Sequence, residues 1–305
     1  MNDFSLRSLR YFLAAADSGS IAAASTHLHI SPASISTAIS ALEDRLNMQL
    51  FVRLPARGMQ LTPAGERFAI EARSLIASAE ELELFAHILG SEVHGEISVA
   101  CFTNLAPMYL SNLLAQFTRR YPHVHVSIHV ADQEDILNGL RMGHFELALT
   151  FNLGLSDQFK WTTLATLPPK IVLPARHRLA ASRRISLRQI ANEPLVLMDL
   201  PHTRDYFLSL FHSQRLVPKV GFRSSSFETV RTLVGNGLGY SLLNLEPQMR
   251  TTYDGTRVVY RPTKERLLPL EVGCLERNGF QQRRIGTAFI EFTARFFEQV
   301  SSARR

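Results

Sequence analysis

Two hydroxyl-proline pairs constrain this chain more than any other feature. Ser31-Pro32 and Thr62-Pro63 each set a capping side chain ahead of a proline at a first helical position, which fixes where two helices start. Upstream, Ser5 precedes Leu6, Leu9, Leu13 and Ala16 at helical spacing, and Asp17-Ser18-Gly19 ends that helix. Ser20 caps a second helix, where Ala22 to Ala24 let a neighbour approach closely. From Pro32 onward Ile35, Ile39, Leu42 and Leu46 form one apolar stripe. The basic stretch Phe51 to Gly58 then reads as a hairpin turning at Pro55. A small-residue helix, a tight turn, a capped helix and a basic hairpin make a winged helix-turn-helix, which places one helix in a DNA groove. A purely structural helical hairpin would not call for basic residues directly after the capped helix.

The solvent face of that capped helix holds Ala33, Ser36, Thr37 and Ser40, with Asp44 last. Hydroxyls and methyls can touch base edges, thymine methyls included, but cannot make the bidentate contacts of Arg or Gln. Asp44 would repel phosphate, so the helix should enter by its N-terminal half. The candidate DNA contacts are therefore Ser31, Pro32, Ala33, Ser36, Thr37 and Ser40, with Arg53 and Arg57 of the hairpin on the phosphate backbone or in the minor groove.

A length of 305 residues exceeds one small module, and three parts are expected. These are a DNA-binding domain at 1–65, a linker helix at 66–90 and a larger domain at 91–305. The net charge of +6 is no evidence for DNA binding, because before residue 66 five arginines are nearly balanced by four acids. No apolar run reaches membrane-span length, no secretory signal leads the chain, and the two cysteines form neither a disulfide framework nor a zinc spacing. A cytoplasmic protein with no cofactor and no metal is expected.

Phe68, Ala72, Leu75, Ala79, Leu82, Ala86 and Leu89 alternate steps of four and three. This is a heptad seam with alanine at alternate positions, suited to a partner helix at close range. An amphipathic helix lying on its own domain is the alternative.

Beyond Gly95 strands alternate with helices, which implies parallel-sheet lobes. Strands are expected at 96–101, 124–130 and 147–151, and a second lobe from about Lys170. The first lobe takes 91–165 and 267–305, the second 166–266. Open α/β sheets bind ligands where strands end and helices begin. That rule nominates Thr103, Asn104, Gln133, Phe151 and Asn152 in the first lobe. In the second it nominates His202, Thr203, Arg204, Ser226 and Phe227, with Asn244 behind them. Hydroxyls, two helix N-termini and Arg204 favour a small anion, a carboxylate above all. Asp199 either holds a ligand amine or pairs with Arg204. Ser225 with Glu228 is either a capping box or part of the site, and Gly235, Gly237 and Gly239 mark a helix-to-strand turn. His123, His125 and His129 alternate on one strand but do not close a metal shell, so an interface or a solvated face is expected. Cys101 and Cys274 read as buried thiols. No nucleophile elbow, paired-carboxylate motif or Walker loop supports catalysis.

Residues 4 to 65 resemble the DNA-binding domain of LysR-type transcriptional regulators. Phe12, Ser20, Ala23-Ala24, Ser31, Ser36, Ile39, Leu42-Glu43, Leu46, Leu50-Phe51, Arg53, Leu61-Thr62 and Gly65 fall on that pattern. Pro32-Ala33 stands where the family often has Gln-Pro, and Thr37 where it often has a basic residue or Gln, so base preference does not carry over. The resemblance implies an all-α winged helix-turn-helix and a dimerising linker helix. After them it implies an α/β domain of two lobes like the periplasmic binding proteins, with Thr103 and Thr203 at ligand-binding positions. It also implies partners: promoter DNA, a small-molecule effector, further copies of the chain as dimer or tetramer, and RNA polymerase for an activator. A solute-binding protein or enzyme of that fold is the competing class, and would show a secretion signal or catalytic groups.

Overall fold

The structure, a computed structural model, describes residues 5–54, 58–87, 93–279 and 282–302. Helices α1 (Leu6–Ser18), α2 (Ile21–Leu28) and α3 (Pro32–Leu46) open the chain. Each begins at a serine whose hydroxyl accepts a first-turn N–H: Ser5 from Ser8, Ser20 from Ala23 and Ser31 from Ser34. Strands β1 (Phe51–Leu54) and β2 (Gly58–Leu61) pair antiparallel as the wing, with Arg53 opposite Met59. Residues 55–57, Arg57 among them, lie outside the described residues. Helix α4 (Pro63–His87) follows, its first turn held by Thr62 Oγ1, which accepts from Gly65 N at 2.9 Å. Gly65 is fixed by space: a Cβ there would lie 2.1 Å from the Leu50 carbonyl oxygen.

The head has its own core around fully buried Phe12, whose ring packs at 5.3 Å on Phe51 and on Phe68. Burying a phenylalanine of this kind contributes about 1.5–3 kcal/mol. Two expected pairing positions are consumed here. Ala72 is 2% exposed and Phe68 packs against the same cluster, so both serve the head rather than a partner helix. Ala79 is half-buried, whereas Leu75 and Leu82 stand 45% and 67% exposed. The Ala86 side chain and Leu89 lie outside what is described.

The rest of the chain forms two lobes. Lobe I contains β3 (Gly95–Phe102), α5 (Ser111–Arg120, entered through one π turn at Ala106–Leu110), β4 (Val124–Ala131), α6 (Gln133–Arg141), β5 (Leu147–Phe151) and β6 (Phe159–Leu167). Lobe II contains β7 (Lys170–Pro174), α7 (Leu187–Ile190), β8 (Pro194–Met198), α8 (Thr203–Ser213), β9 (Lys219–Ser224), α9 (Phe227–Gly235), β10 (Ser241–Leu243) and β11 (Val258–Pro262). Strand β12 (Leu270–Arg277) and helix α10 (Arg284–Ser302) return to lobe I. Its sheet runs β4-β3-β5-β12-β6.

The expected parallel sheets are in fact mixed. Strands β4, β3 and β5 are parallel, but β12 pairs antiparallel with β5 and β6, and β7 pairs antiparallel with β10 and β11. The chain leaves lobe I along β6 and re-enters along β12, so these strands must run opposite ways. Gly235, Gly237 and Gly239 do make the turn from α9 to β10, with Gly239 at φ +153° beside the Pro194 carbonyl.

Candidate DNA-reading face and effector cleft

Ile35, Ile39 and Leu42 anchor α3 in the head core, which turns Ala33, Thr37 and Ser40 to solvent and leaves Ser36 half-buried. Ser31 is committed to its cap: Oγ accepts from Ser34 N at 3.2 Å and lies 2.8 Å from Ser34 Oγ. Between α3 and the wing runs a groove of about 350 Å³, lined by Ser36, Ser40, Glu43, Gln49 and Val52 among others. Helical periodicity gives no reason to single out Gln49 and Val52, yet both are exposed beside the reading helix. Glu43 is the piece that builds this groove. Its Oε1 accepts from Leu50 N at 2.7 Å and from Phe51 N at 3.0 Å, so one carboxylate ties the reading helix to the wing. Glu43→Ala is expected to cost about 1.5–3 kcal/mol, read as a lower denaturation midpoint for the head transition, by leaving the two N–H groups at the entry to β1 without their charged acceptor. No shift in that midpoint would mean water replaces the carboxylate without loss.

The second site lies where the lobes meet. Asn104, just after β3, brings Nδ2 to 3.8 Å from the Met198 sulfur at the end of β8. His202 packs its ring so close to Gly154 that a Cβ there would be 2.6 Å from Cε1. Asn244 donates to the Leu167 carbonyl and to the Tyr206 hydroxyl, which donates to Leu268 O. These contacts bring both lobes onto the start of α8. His202 holds a left-handed backbone at φ +61° there and supplies no side-chain cap, a conformation that costs energy outside glycine. Thr203 is 5% exposed, and its hydroxyl has no hydrogen-bond partner among the described residues.

Several nominated residues do other work. Gln133 is fully buried; its amide donates to Phe151 O and Leu153 O and accepts from Thr150. It therefore clamps the end of β5 and has no group left for a ligand. Phe151 packs edge-on against Phe102 in the core, so its side chain is not available either. Asn152 Oδ1 accepts from Glu271 N at 2.9 Å, extending the β5–β12 pairing. Ser226 caps α9 by accepting from Thr229 N, while Glu228 binds Arg231 and the Tyr253 N–H, so Ser225 and Glu228 form no capping box. Phe227 is half-buried with the Arg231 guanidinium 6.0 Å above its ring. Arg204 pairs with Asp205 at 3.1 Å and Asp199 at 3.6 Å, and Asp199 also meets Arg223 at 3.4 Å. Asp199 is thus an arginine partner, and a ligand amine loses its acceptor. Of the residues expected in the cleft, Thr103, Asn104, His202 and Thr203 are those whose side chains have no such prior engagement, and Arg204 is already ion-paired.

A buried ionic node joins the two halves of the chain. The Arg283 side chain, 6% exposed, places Nη2 2.6 Å from Glu146 of lobe I and Nη1 3.3 Å from Glu81 of α4. It also donates to Glu96 O at 2.6 Å. Arg277–Glu71 at 2.9 Å and Arg73 donating to Met142 O at 2.6 Å fasten the same helix to the same lobe. Sequence spacing carries no sign of this, because Arg283 meets partners far away in the chain.

The cysteines are placed for packing. Cys101 and Cys274 flank Leu149 from strands on either side, both buried, and burial pushes each thiol up to about 12. A thiol in that state is a poor nucleophile near neutral pH. His129 stacks on Phe145 at 4.9 Å on the edge strand β4, and no metal-holding cluster of His, Cys, Asp or Glu occurs among the described residues.

A winged helix-turn-helix coupled to a two-lobed α/β domain defines a DNA-binding regulator that responds to a small molecule. Residues 6–66 match the bacterial regulatory helix-turn-helix domain of the lysR family, and residues 90–298 match the LysR substrate binding domain. The chain belongs to the LysR family of transcriptional regulators. HinK, a LysR family transcriptional regulator from Pseudomonas aeruginosa, is similar at 34% identity and TM-score 0.65, covering 96% of this chain and 98% of that one. An uncharacterised HTH-type transcriptional regulator of Escherichia coli, YnfL, is 30% identical over 78% of this chain and 81% of its own length. A hydrogen peroxide-inducible genes activator of Pectobacterium carotovorum is 25% identical, covering 87% and 89%.

Proposed function

We propose that the effector is a small anion, a carboxylate metabolite by class, held at the N-terminus of α8 by Thr203, with Thr103 and Asn104 contributing from lobe I. The Thr203 hydroxyl carries this reading: it is buried, without a partner among the described residues, and set at a helix start that has no side-chain cap. Leaving such a group unpaired costs about 1–3 kcal/mol, and an oxyanion at a helix N-terminus supplies the missing bond. The peroxide response of one relative does not transfer, because both thiols are buried and pushed up.

The regulator acts by binding, without a catalytic step, in the cytoplasm where promoter DNA lies. It works as a dimer or tetramer, with α3 in the major groove and the wing on the backbone. RNA polymerase is the further partner if its output is activation. An effector shifts the lobes only as far as it prefers one arrangement to another, and the Arg283 node passes a lobe I movement to α4.

A thermal-shift titration of the full chain with small carboxylates, their amino-acid counterparts and neutral analogues tests the reading. At least one carboxylate should raise Tm saturably, with no gain from an added amine. Thr203→Val, nearly isosteric, should weaken that carboxylate about 10–150-fold, the worth of one hydrogen bond to a charged group. A panel without any shift, or a shift that Thr203→Val leaves intact, would remove the anion from this helix start.

A further inference from the structure

The basic surplus of this chain lies away from its DNA-binding head. Lobe II, residues 166–266, holds sixteen Lys and Arg against seven Asp and Glu, although the whole chain balances at +6. Every one of those seven carboxylates is engaged. Glu193 takes His177 and Arg178, Asp199 takes Arg204 and Arg223, and Asp205 shares Arg204. Glu228 takes Arg231, and Glu246 takes Lys170 and Arg250. Asp254 is spent on Thr252, Thr256 and Asn236, and Glu265 on Ser186 and the Leu187 N–H. Arg176, Arg183, Arg184, Arg257, Lys264 and Arg266 are among the exposed cations left without a carboxylate from the described residues.

Backbone pairing gathers these six along one edge of the lobe. Ala175 N donates to Arg257 O at 2.9 Å, Ile185 N to Pro262 O at 3.1 Å, and Lys264 N to Ile185 O at 3.0 Å. The segment 175–185 therefore runs beside β11, an outer strand of its sheet. Arg176 is brought to Arg257 at one end, and Arg183 and Arg184 to Lys264 and Arg266 at the other. From Arg257 to Lys264 the edge is roughly 23 Å long at about 3.3 Å per residue. That matches about seven steps of one DNA strand at roughly 3.4 Å each.

We propose that this edge of lobe II is a second DNA-binding surface, which meets the sugar-phosphate backbone of duplex flanking the site that α3 reads. A line of mostly arginine, with its charge uncompensated, is complementary to a line of phosphates. The head carries five cations against four acids, so it offers little electrostatic capture of its own. Once the head is bound, flanking duplex is held at high effective concentration beside the rest of the chain. An acidic protein surface is the competing occupant, and it would leave duplex binding untouched.

The test is the salt dependence of full-chain binding to a long random-sequence duplex, followed by fluorescence anisotropy. The triple variant Arg183→Ser/Arg184→Ser/Lys264→Ser changes only exposed side chains and should keep the wild-type Tm. The slope of log K against log salt should fall by about 0.9 for each phosphate no longer neutralised, so by between about 2 and 3 for the triple. Arg119→Ser/Arg120→Ser on lobe I should leave the slope unchanged. An unchanged slope in the triple variant overturns the proposal while leaving DNA binding by the head intact. An unchanged slope accompanied by loss of transcriptional control in the triple also overturns it, in favour of an acidic protein partner. A wild-type chain that binds no duplex at any salt concentration would sink both this surface and the head's.

Discussion

Arg283→Met should destabilise the chain by about 3 kcal/mol, the low end for breaking a buried pair, read from the denaturation midpoint of the full-length protein, because it leaves the Glu146 side chain, only 20% exposed, without its cation. Glu146 receives two bonds from that guanidinium, at 2.9 and 2.6 Å, and Ser98 N at 3.4 Å is too distant a donor to replace them. Adding Glu146→Met to Arg283→Met should recover most of the loss, since an apolar pair of similar volume avoids the cost of desolvating two charges. Glu81 behaves differently. Its pKa is raised, first by burial, with Arg283 pulling it back down. The stability linked to Glu81 is therefore complete below the ordinary carboxylate range and is lost as pH climbs through the raised value. Glu81→Gln should flatten that part of the pH–stability curve and change little else. An Arg283→Met change within about 0.5 kcal/mol of wild type would show that the node contributes nothing to the fold. The same variant should also blunt the effector's influence on DNA affinity, because Arg283 is shared by α4 and lobe I.

That node marks the boundary of what the sequence could reveal. Ser5, Ser20, Ser31 and Thr62 were legible because a cap answers to residues two or three positions away. The apolar stripes of α1 and α3 were legible for the same reason, and the alternation beyond Gly95 was enough for two α/β lobes. Strand direction was not, because β12 runs antiparallel only through the chain's passage into lobe II and back. The strand-end rule named Thr103, Asn104, His202 and Thr203, and of these Asn104 reaches Met198 of lobe II while His202 packs against Gly154 of lobe I. The same rule failed at Gln133, whose amide turns back to clamp β5. Proximity to a strand end says nothing about where a long side chain finds its partners. Glu43 shows the same limit: its charge was visible, but not that two wing N–H groups would converge on it. At Phe68 and Ala72 the apolar spacing answers to the head core, which a heptad count along one helix does not distinguish from a seam for a partner.

That division of α4 sets up the second large effect. Leu75→Glu/Leu82→Glu should convert the protein to monomers in sedimentation and lower its affinity for a two-half-site operator by about 10²–10⁴-fold, the advantage of linked binding. The two leucines are one heptad apart and stand 45% and 67% exposed, whereas Phe68, Ile70 and Ile76 on the same helix are at least half-buried. Covering the part of each leucine that is still exposed is worth about 0.7–2 kcal/mol, and two antiparallel or parallel copies would cover four. Glutamate at both positions replaces that gain with like-charge repulsion across the seam. Ala72→Glu serves as the contrast: that position is 2% exposed within the head core, so the substitution should unfold the head and not merely separate the subunits. If Leu75→Glu/Leu82→Glu keeps the native mass while Ala72→Glu unfolds the head, the association surface lies off this helix. The exposed leucines would then have to be covered by something other than a second α4.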